Sequence, residues 1–116
     1  MEDELGYQEL MQSILGRAYD LTICSNVEEA LGKLEAEIYD LVITDINLHG
    51  MTGFVVLEKV KALGRLETSP VIMCSSQFDP ETKEMALNIG AAGFIPKPYE
   101  FAMVVSTVKA FLGVTP

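Results

Sequence analysis

Apolar residues along the chain fall into two kinds of segment that alternate with each other. Four short segments are almost continuously apolar and rich in β-branched residues: 21–25 (LTICS), 41–45 (LVITD), 71–76 (VIMCSS) and 93–96 (GFIP). Runs of this kind are typical of strands buried on both faces of a parallel sheet. The longer segments around them carry apolar residues at helical spacing and predict five helices, the first of which opens the chain.

Signals at the predicted helix ends agree with this division. Asn26 and Glu29 resemble a capping box, and Asp79-Pro80 supplies a cap followed by a first-turn proline. Gly64 and Gly90 lie where helices are expected to end. Strict alternation of helices and strands with short connections predicts an α/β fold, a doubly wound parallel sheet.

Size and charge restrict the class of protein. The 116 residues, 49% of them apolar, suit one domain over 1–116 with a core that needs no metal or disulfide. The net charge of −9 disfavours binding to nucleic acid or anionic lipid. No apolar run approaches a membrane span, and the acidic start is unlike a signal peptide, so we expect a cytoplasmic protein.

The two cysteines predict no chemistry. Cys24 and Cys74 lie in separate apolar segments 50 residues apart, and the chain has one histidine, so no zinc ligand set is apparent. We expect two buried thiols.

Polar side chains follow the predicted strands where ligands bind in open α/β sheets, at the carboxyl edge. Asp45 ends one strand, Ser75 ends the next, and Lys97 follows the last. Glu2 and Asp3 precede the first helix, where a preceding strand would bring them to the same edge. Three carboxylates, a hydroxyl and a lysine are therefore predicted to converge on one crevice.

This combination suits phosphoryl transfer. Clustered carboxylates repel each other unless they share a hard cation, and Mg²⁺ favours one or two carboxylates plus a phosphate oxygen. With the metal on Glu2 and Asp3, Asp45 stays ionised and can attack phosphorus. Lys97 and the Ser75 hydroxyl would neutralise and orient the phosphoryl oxygens.

At these residues the sequence resembles the receiver domain of two-component response regulators. Residues 39–53 (YDLVITDINLHGMTG) resemble the family's acceptor strand and loop, 71–77 (VIMCSSQ) its switch strand, and 90–98 (GAAGFIPKP) its last strand. Ser75 lies 30 residues after Asp45, and Lys97 a further 22, which is family-like spacing. The resemblance covers the whole chain.

The resemblance implies a role for each of these residues. Asp45 would accept a phosphoryl group from a histidine kinase or phosphotransfer protein, with Mg²⁺ bound by Glu2, Asp3, Asp45 and the backbone of Asn47. Ser75 and Phe94 would form the switch, Lys97 would assist with a cis bond to Pro98, and Asn47 and Gln77 would tune hydrolysis. The face of the fourth helix, last strand and last helix would bind a downstream protein, a dimer being possible.

The resemblance also implies a flavodoxin-like sheet of strand order 2-1-3-4-5, and here the chain departs from it. The sequence opens on a helix where that fold has strand 1, so we expect strand 1 to be missing from the sheet. The chain would be a truncated or mis-started receiver, or one completed by rearrangement or by another chain. A buried strand contributes on the order of 10 kcal/mol, so a lone monomer is expected to be marginally stable.

Three other functions compete with the phosphoacceptor role. A receiver-like interaction module that takes no phosphate is the main alternative. A haloacid-dehalogenase-type hydrolase would place a DxD motif on its first strand, and FMN binding would need a hydroxyl-rich loop before the first helix; neither is present.

His49 replaces the proline usual in the family, and a metal site of Asp45 with His49 is disfavoured. Phe101 and Tyr99 are candidates for a partner surface if exposed.

Overall fold

The computed structural model describes residues 5–46, 52–75 and 80–112. These ranges contain five helices: α1 (Leu5–Leu15), α2 (Val27–Ala36), α3 (Thr52–Ala62), α4 (Pro80–Ile89) and α5 (Phe101–Leu112). They also contain three strands: β1 (Val42–Asp45), β2 (Val71–Ser75) and β3 (Gly93–Pro96). The strands are parallel in the order β1-β2-β3, which confirms the predicted α/β class.

Helices cover both faces of the sheet, as the packing of β2 shows. Every side chain of β2 is buried, and alternate residues point to opposite faces. Val71 and Met73 pack in a core with α2, α3 and α4, whereas Ile72 and Cys74 pack in a second core with α1 and α5. Burial on both faces favours apolar side chains, which explains the continuous apolar run from Val71 to Cys74.

The helix ends that the structure describes form as the sequence predicts, whereas Asp79, the predicted cap of α4, lies outside the described residues. The Asn26 side chain accepts a hydrogen bond of 2.8 Å from the Glu29 backbone N–H at the start of α2. Pro80 is the first residue of α4. Gly64 and Gly90 follow α3 and α4 with φ angles of +70° and +131°, which favour glycine.

One predicted strand is wrong. Residues 21–25 are irregular, and no strand pairs with them in the part of the chain that the structure describes. A strand needs a hydrogen-bonding neighbour, and in the expected order this segment would pair only with a strand that the described residues do not contain. The apolar run is therefore insufficient to make it a strand.

A cavity of about 330 Å³ lies beside β1, on the side away from β2. Its walls include the segment 20–24, residues 37–41 and Ile43, with α1 and α5 contributing Met11 and Val108. Burial raises the pKa of the Cys24 thiol and of the Tyr39 phenol, which both line it. The cavity thus lies between the irregular segment 20–24 and β1, on the flank of the sheet where the resemblance implies a further strand.

Both cysteines are buried and free, as the sequence predicts. Within the described ranges, none of the helices combines the length and the apolar character needed to span a membrane.

Candidate functional site

The ends of three neighbouring strands place the candidate site. Asp45 is the last residue of β1 and pairs with Cys74, and Ser75 is the last residue of β2 and pairs with Pro96 of β3. The Lys97 backbone N–H donates to the Ser75 carbonyl at 2.8 Å, so the residue after β3 is fixed to the end of β2. Parallel register therefore delivers all three predicted side chains to one edge.

A buried ion pair lies at the centre of the site. Lys97 Nζ is 3.1 Å from Asp45 Oδ2, and only 4% and 8% of the respective side chains are exposed. Buried charges are stable only when they are paired or hydrogen-bonded, because the protein interior solvates ions poorly. Asp45 and Lys97 therefore provide a carboxylate and a cation in direct contact.

The neighbouring backbone is held close to Asp45. Gly53, in the first turn of α3, is buried, and a Cβ at this position would clash with the Asp45 carbonyl oxygen. Glycine thus allows α3 to begin directly against the strand end. The Ile46 N–H donates to the Cys74 carbonyl at 2.7 Å, which extends the pairing of β1 with β2 one residue beyond Asp45.

Two tyrosines that the sequence analysis did not place in the site contact Lys97. Lys97 Nζ lies 4.2 Å from the ring centroid of Tyr7, in α1, and 5.9 Å from that of Tyr99. Tyr99 is buried, so it is not part of an exposed partner surface, whereas Phe101 is 62% exposed. The helical period predicts that Tyr7 faces the core but not that it reaches the end of β3.

Both candidate switch residues, Ser75 and Phe94, lie in the described strands. Ser75 is 4% exposed at the end of β2. Phe94, in β3, is half-buried, pairs with Met73, and has Lys83 Nζ 5.5 Å from its ring centroid. Gln77 lies outside the described residues.

Most of the predicted metal ligands also lie outside the described residues. These are Glu2, Asp3 and Asn47, as is His49 of the disfavoured alternative. The described residues contain no group of three or more acidic, histidine or cysteine side chains placed for a metal ion. Asp45 is the predicted ligand that the structure describes, and its carboxylate is the hard oxygen donor that Mg²⁺ prefers.

Comparison with known proteins identifies the class to which this fold and site belong. The family model of the response regulator receiver domain matches residues 1–109. The chain therefore belongs to the response regulator receiver domain family, and it is a signalling domain. The Lys97-Pro98 peptide bond is cis, as the resemblance implied.

Individual relatives agree with this assignment. The chain is 27% identical to the transcriptional regulatory protein ZraR of Escherichia coli K12, over 99% of this chain and 26% of ZraR. The chain thus spans about a quarter of the length of this curated relative. The receiver domain of a signal transduction histidine kinase from Syntrophus aciditrophicus is 31% identical, with a TM-score of 0.83, over 97% of this chain and 86% of that one.

A more distant structure shares the fold and was solved with a metal. The receiver domain of the sensor histidine kinase PA1611 from Pseudomonas aeruginosa PAO1 has a TM-score of 0.84 at 20% identity, over 97% of this chain and 93% of its own. That protein has a magnesium ion coordinated in its active-site cleft.

Proposed function

We propose that this receiver domain accepts a phosphoryl group on Asp45 and thereby controls the binding of a partner protein. The observation that carries the proposal is the contact of 3.1 Å between Lys97 Nζ and Asp45 Oδ2 in a buried position, with Ser75 at the adjacent strand end. The donor would be a histidine kinase or phosphotransfer protein, and the domain would act in the cytoplasm. It would catalyse only its own phosphorylation and dephosphorylation.

The phosphoryl group passes from a leaving nitrogen atom of the donor to an attacking oxygen atom of Asp45. An Asp45 carboxylate oxygen forms a bond to phosphorus while the bond from phosphorus to the donor histidine nitrogen breaks, and the released imidazole takes up a proton from solvent. The product is an acyl phosphate. Lys97 balances negative charge on the phosphoryl oxygens, and the Ser75 hydroxyl donates a hydrogen bond to one of them.

Asp45, the predicted magnesium ligand that the structure describes, supplies the carboxylate oxygen that Mg²⁺ favours. Glu2, Asp3, Asp45 and the backbone of Asn47 would hold it, with Asn47 and Gln77 tuning hydrolysis nearby. When bound, the ion supplies positive charge to the phosphoryl oxygens. The receiver domain of PA1611 holds a magnesium ion in its active-site cleft. It supports this assignment only through the fold that it shares with this chain.

The partner surface would be formed by α4, β3 and α5. Large apolar side chains are exposed on both helices: Met85, Leu87, Phe101, Met103 and Phe111. Exposed large apolar side chains on these helices are available for contact with a partner protein. Ser75 lies on β2, between Asp45 on β1 and Phe94 on β3 of this surface, so the two residues are suited to couple phosphorylation to partner binding or to dimer formation.

Intact mass tests the phosphoacceptor role directly. After incubation with acetyl phosphate and Mg²⁺, we expect one added phosphoryl group, and we expect none with Asp45→Asn or with a chelator. Asp40→Asn is the matched control, because Asp40 is an exposed aspartate just before the same strand. Equal labelling of Asp45→Asn and wild type would contradict the proposal.

An interaction module that takes no phosphate is the second candidate. It is favoured by the cavity beside β1, since that strand carries Asp45 and has a strand neighbour on only one side within the described sheet. A folded protein that gains no mass with acetyl phosphate and Mg²⁺ would support this candidate instead.

A further inference from the structure

The Lys97 ammonium lies between an anion and two aromatic rings. Besides its contact with Asp45, Nζ is 4.2 Å from the Tyr7 ring centroid and 5.9 Å from that of Tyr99. The two rings also contact each other, with centroids 5.2 Å apart and an angle of 69° between their planes. The side chain of Lys97 is therefore enclosed by partners from α1, β1 and the chain after β3.

Packing fixes the position of Tyr7. Tyr7 and Met11 are four residues apart on α1, which places both on the same face of the helix. Met11 is buried, and Tyr7 packs against the same core, which also contains Ile72 and Ile95 of the sheet. The edge-to-face contact with the buried ring of Tyr99 further restricts the orientation of Tyr7.

An aromatic ring holds a cation differently from a carboxylate. The face of the ring carries negative potential and attracts an ammonium group, most strongly where water is excluded. It carries no net charge, so it does not neutralise the ammonium. Lys97 can therefore be held in place by Tyr7 while its full positive charge stays directed at the anion on Asp45.

We propose that Tyr7 is a positioning residue, whose ring face holds the Lys97 ammonium at the phosphoacceptor. The inference rests on the proposed function of Asp45. Phosphorylation replaces the carboxylate with a larger, more highly charged anion, so Lys97 must change its anionic partner during the reaction. The Tyr7 ring is a neutral contact that can persist through this change.

Substitutions that separate the ring from its hydroxyl test this role. Tyr7→Leu keeps an apolar side chain but removes the ring, and we expect phosphorylation by acetyl phosphate and Mg²⁺ to slow roughly tenfold, the scale of a desolvated cation–π contact. Tyr7→Phe keeps the ring face and is expected to restore the wild-type rate to within about twofold, since the face supplies the attraction. Tyr19→Leu removes another half-buried ring that packs against the same core and should leave the rate unchanged.

A spectroscopic measurement tests the contact without relying on activity. In NMR spectra of unphosphorylated protein, the Lys97 Hε resonances should be shifted upfield by the ring current of Tyr7, and the shift should persist in Tyr7→Phe. Unshifted Lys97 resonances in the wild type would overturn the proposal even if Tyr7→Leu does not fold. So would a folded Tyr7→Leu that is phosphorylated at the wild-type rate, or a Tyr7→Phe as slow as Tyr7→Leu.

The two proposals fail in different ways. If the wild type itself gains no phosphoryl group, the proposed function of Asp45 is wrong, whatever the spectra show. If the wild type is phosphorylated but the rate and the Lys97 resonances do not depend on the ring, only the role of Tyr7 is wrong.

Discussion

The two sides of β1 differ in what they contact. On one side β1 pairs with β2, whose five residues are all buried, and on the other it borders a cavity of about 330 Å³. Ile43 and Ile72 are direct partners across β1 and β2, yet Ile72 is completely buried whereas Ile43 is half-buried and lines the cavity. Identical residues in adjacent strands therefore differ in burial because their neighbours differ.

The candidate site lies on the side of β1 that pairs with β2, which we call the packed side. Asp45, Ser75 and Lys97 are held by pairing between β1, β2 and β3, and none of these pairings involves the cavity. The geometry of the proposed phosphoacceptor site is thus compatible with an open flank, whereas we expect the stability of the domain to depend on both flanks. Four predictions test this separation.

Filling the open side with a strand should have the largest effect. We expect five β-branched residues, added before Met1 through a short Gly/Ser linker, to raise the free energy of unfolding by about 5 kcal/mol, because burial of apolar side chains outweighs the cost of ordering them. Urea unfolding measures the change. The control is an extension of the same length whose central residue is proline. Because proline cannot donate a hydrogen bond to the sheet, this extension should give no such gain.

The next largest effect is expected from truncation of the paired isoleucines, which should lower the free energy of unfolding by different amounts on the two sides of β1. Ile72→Ala removes a fully buried side chain and is expected to cost about 2–5 kcal/mol. Ile43→Ala should cost only about 1 kcal/mol, because its side chain already borders a space and loses fewer contacts. Equal losses of unfolding free energy in the two variants would show that the cavity is closed in solution.

Enlargement of the same two residues should change stability in opposite directions. Ile43→Phe can extend into the cavity, and we expect a gain of about 0.5–2 kcal/mol. Ile72→Phe must displace neighbours in a filled core and should cost about 1–3 kcal/mol. Thermal unfolding of both variants is the measurement, and a destabilising Ile43→Phe would contradict the presence of usable space.

The smallest effect is expected at the protein surface, where Lys59 of α3 forms an ion pair with Glu35 of α2. The hydrogen bond and charge of Lys59 lower the pKa of Glu35 below its usual 4.5. The pair therefore stabilises the folded state above pH 4.5, and this contribution is lost as the pH falls through the lowered pKa.

The measurement is the difference in Tm between wild type and Glu35→Gln. We expect Glu35→Gln to lower Tm slightly at pH 7 and to have a smaller effect at pH 3. Glu58→Gln, an exposed glutamate on α3 with no ion pair in the described structure, is the control. A difference that does not depend on pH would exclude the ion pair as its cause.

Local sequence predicted most of the elements for a physical reason. All five helices form because their apolar spacing matches the helical period and their ends carry caps such as Asn26. Three of the four apolar runs are strands because each has a parallel neighbour. Residues 21–25 have the same composition without a neighbour, and composition alone cannot supply hydrogen-bonding partners.

Prediction of the site had a similar limit. Asp45, Ser75 and Lys97 could be predicted to share an edge because strand ends in a parallel sheet are adjacent, and the structure places them there. Their roles in phosphorylation remain predictions, as do those of Glu2 and Asp3 outside the described residues. Tyr7 was missed because its contact with Lys97 joins residues 90 positions apart in sequence.

The sequence by itself determined the helices, the buried strands and the polar residues at the strand ends, because these depend on the period and chemistry of nearby residues. Only the tertiary structure decided that residues 21–25 stay irregular, that Ile43 borders a cavity and that two tyrosines contact Lys97. These features depend on which distant segments meet, and packing between helices and strands, not local preference, sets those meetings.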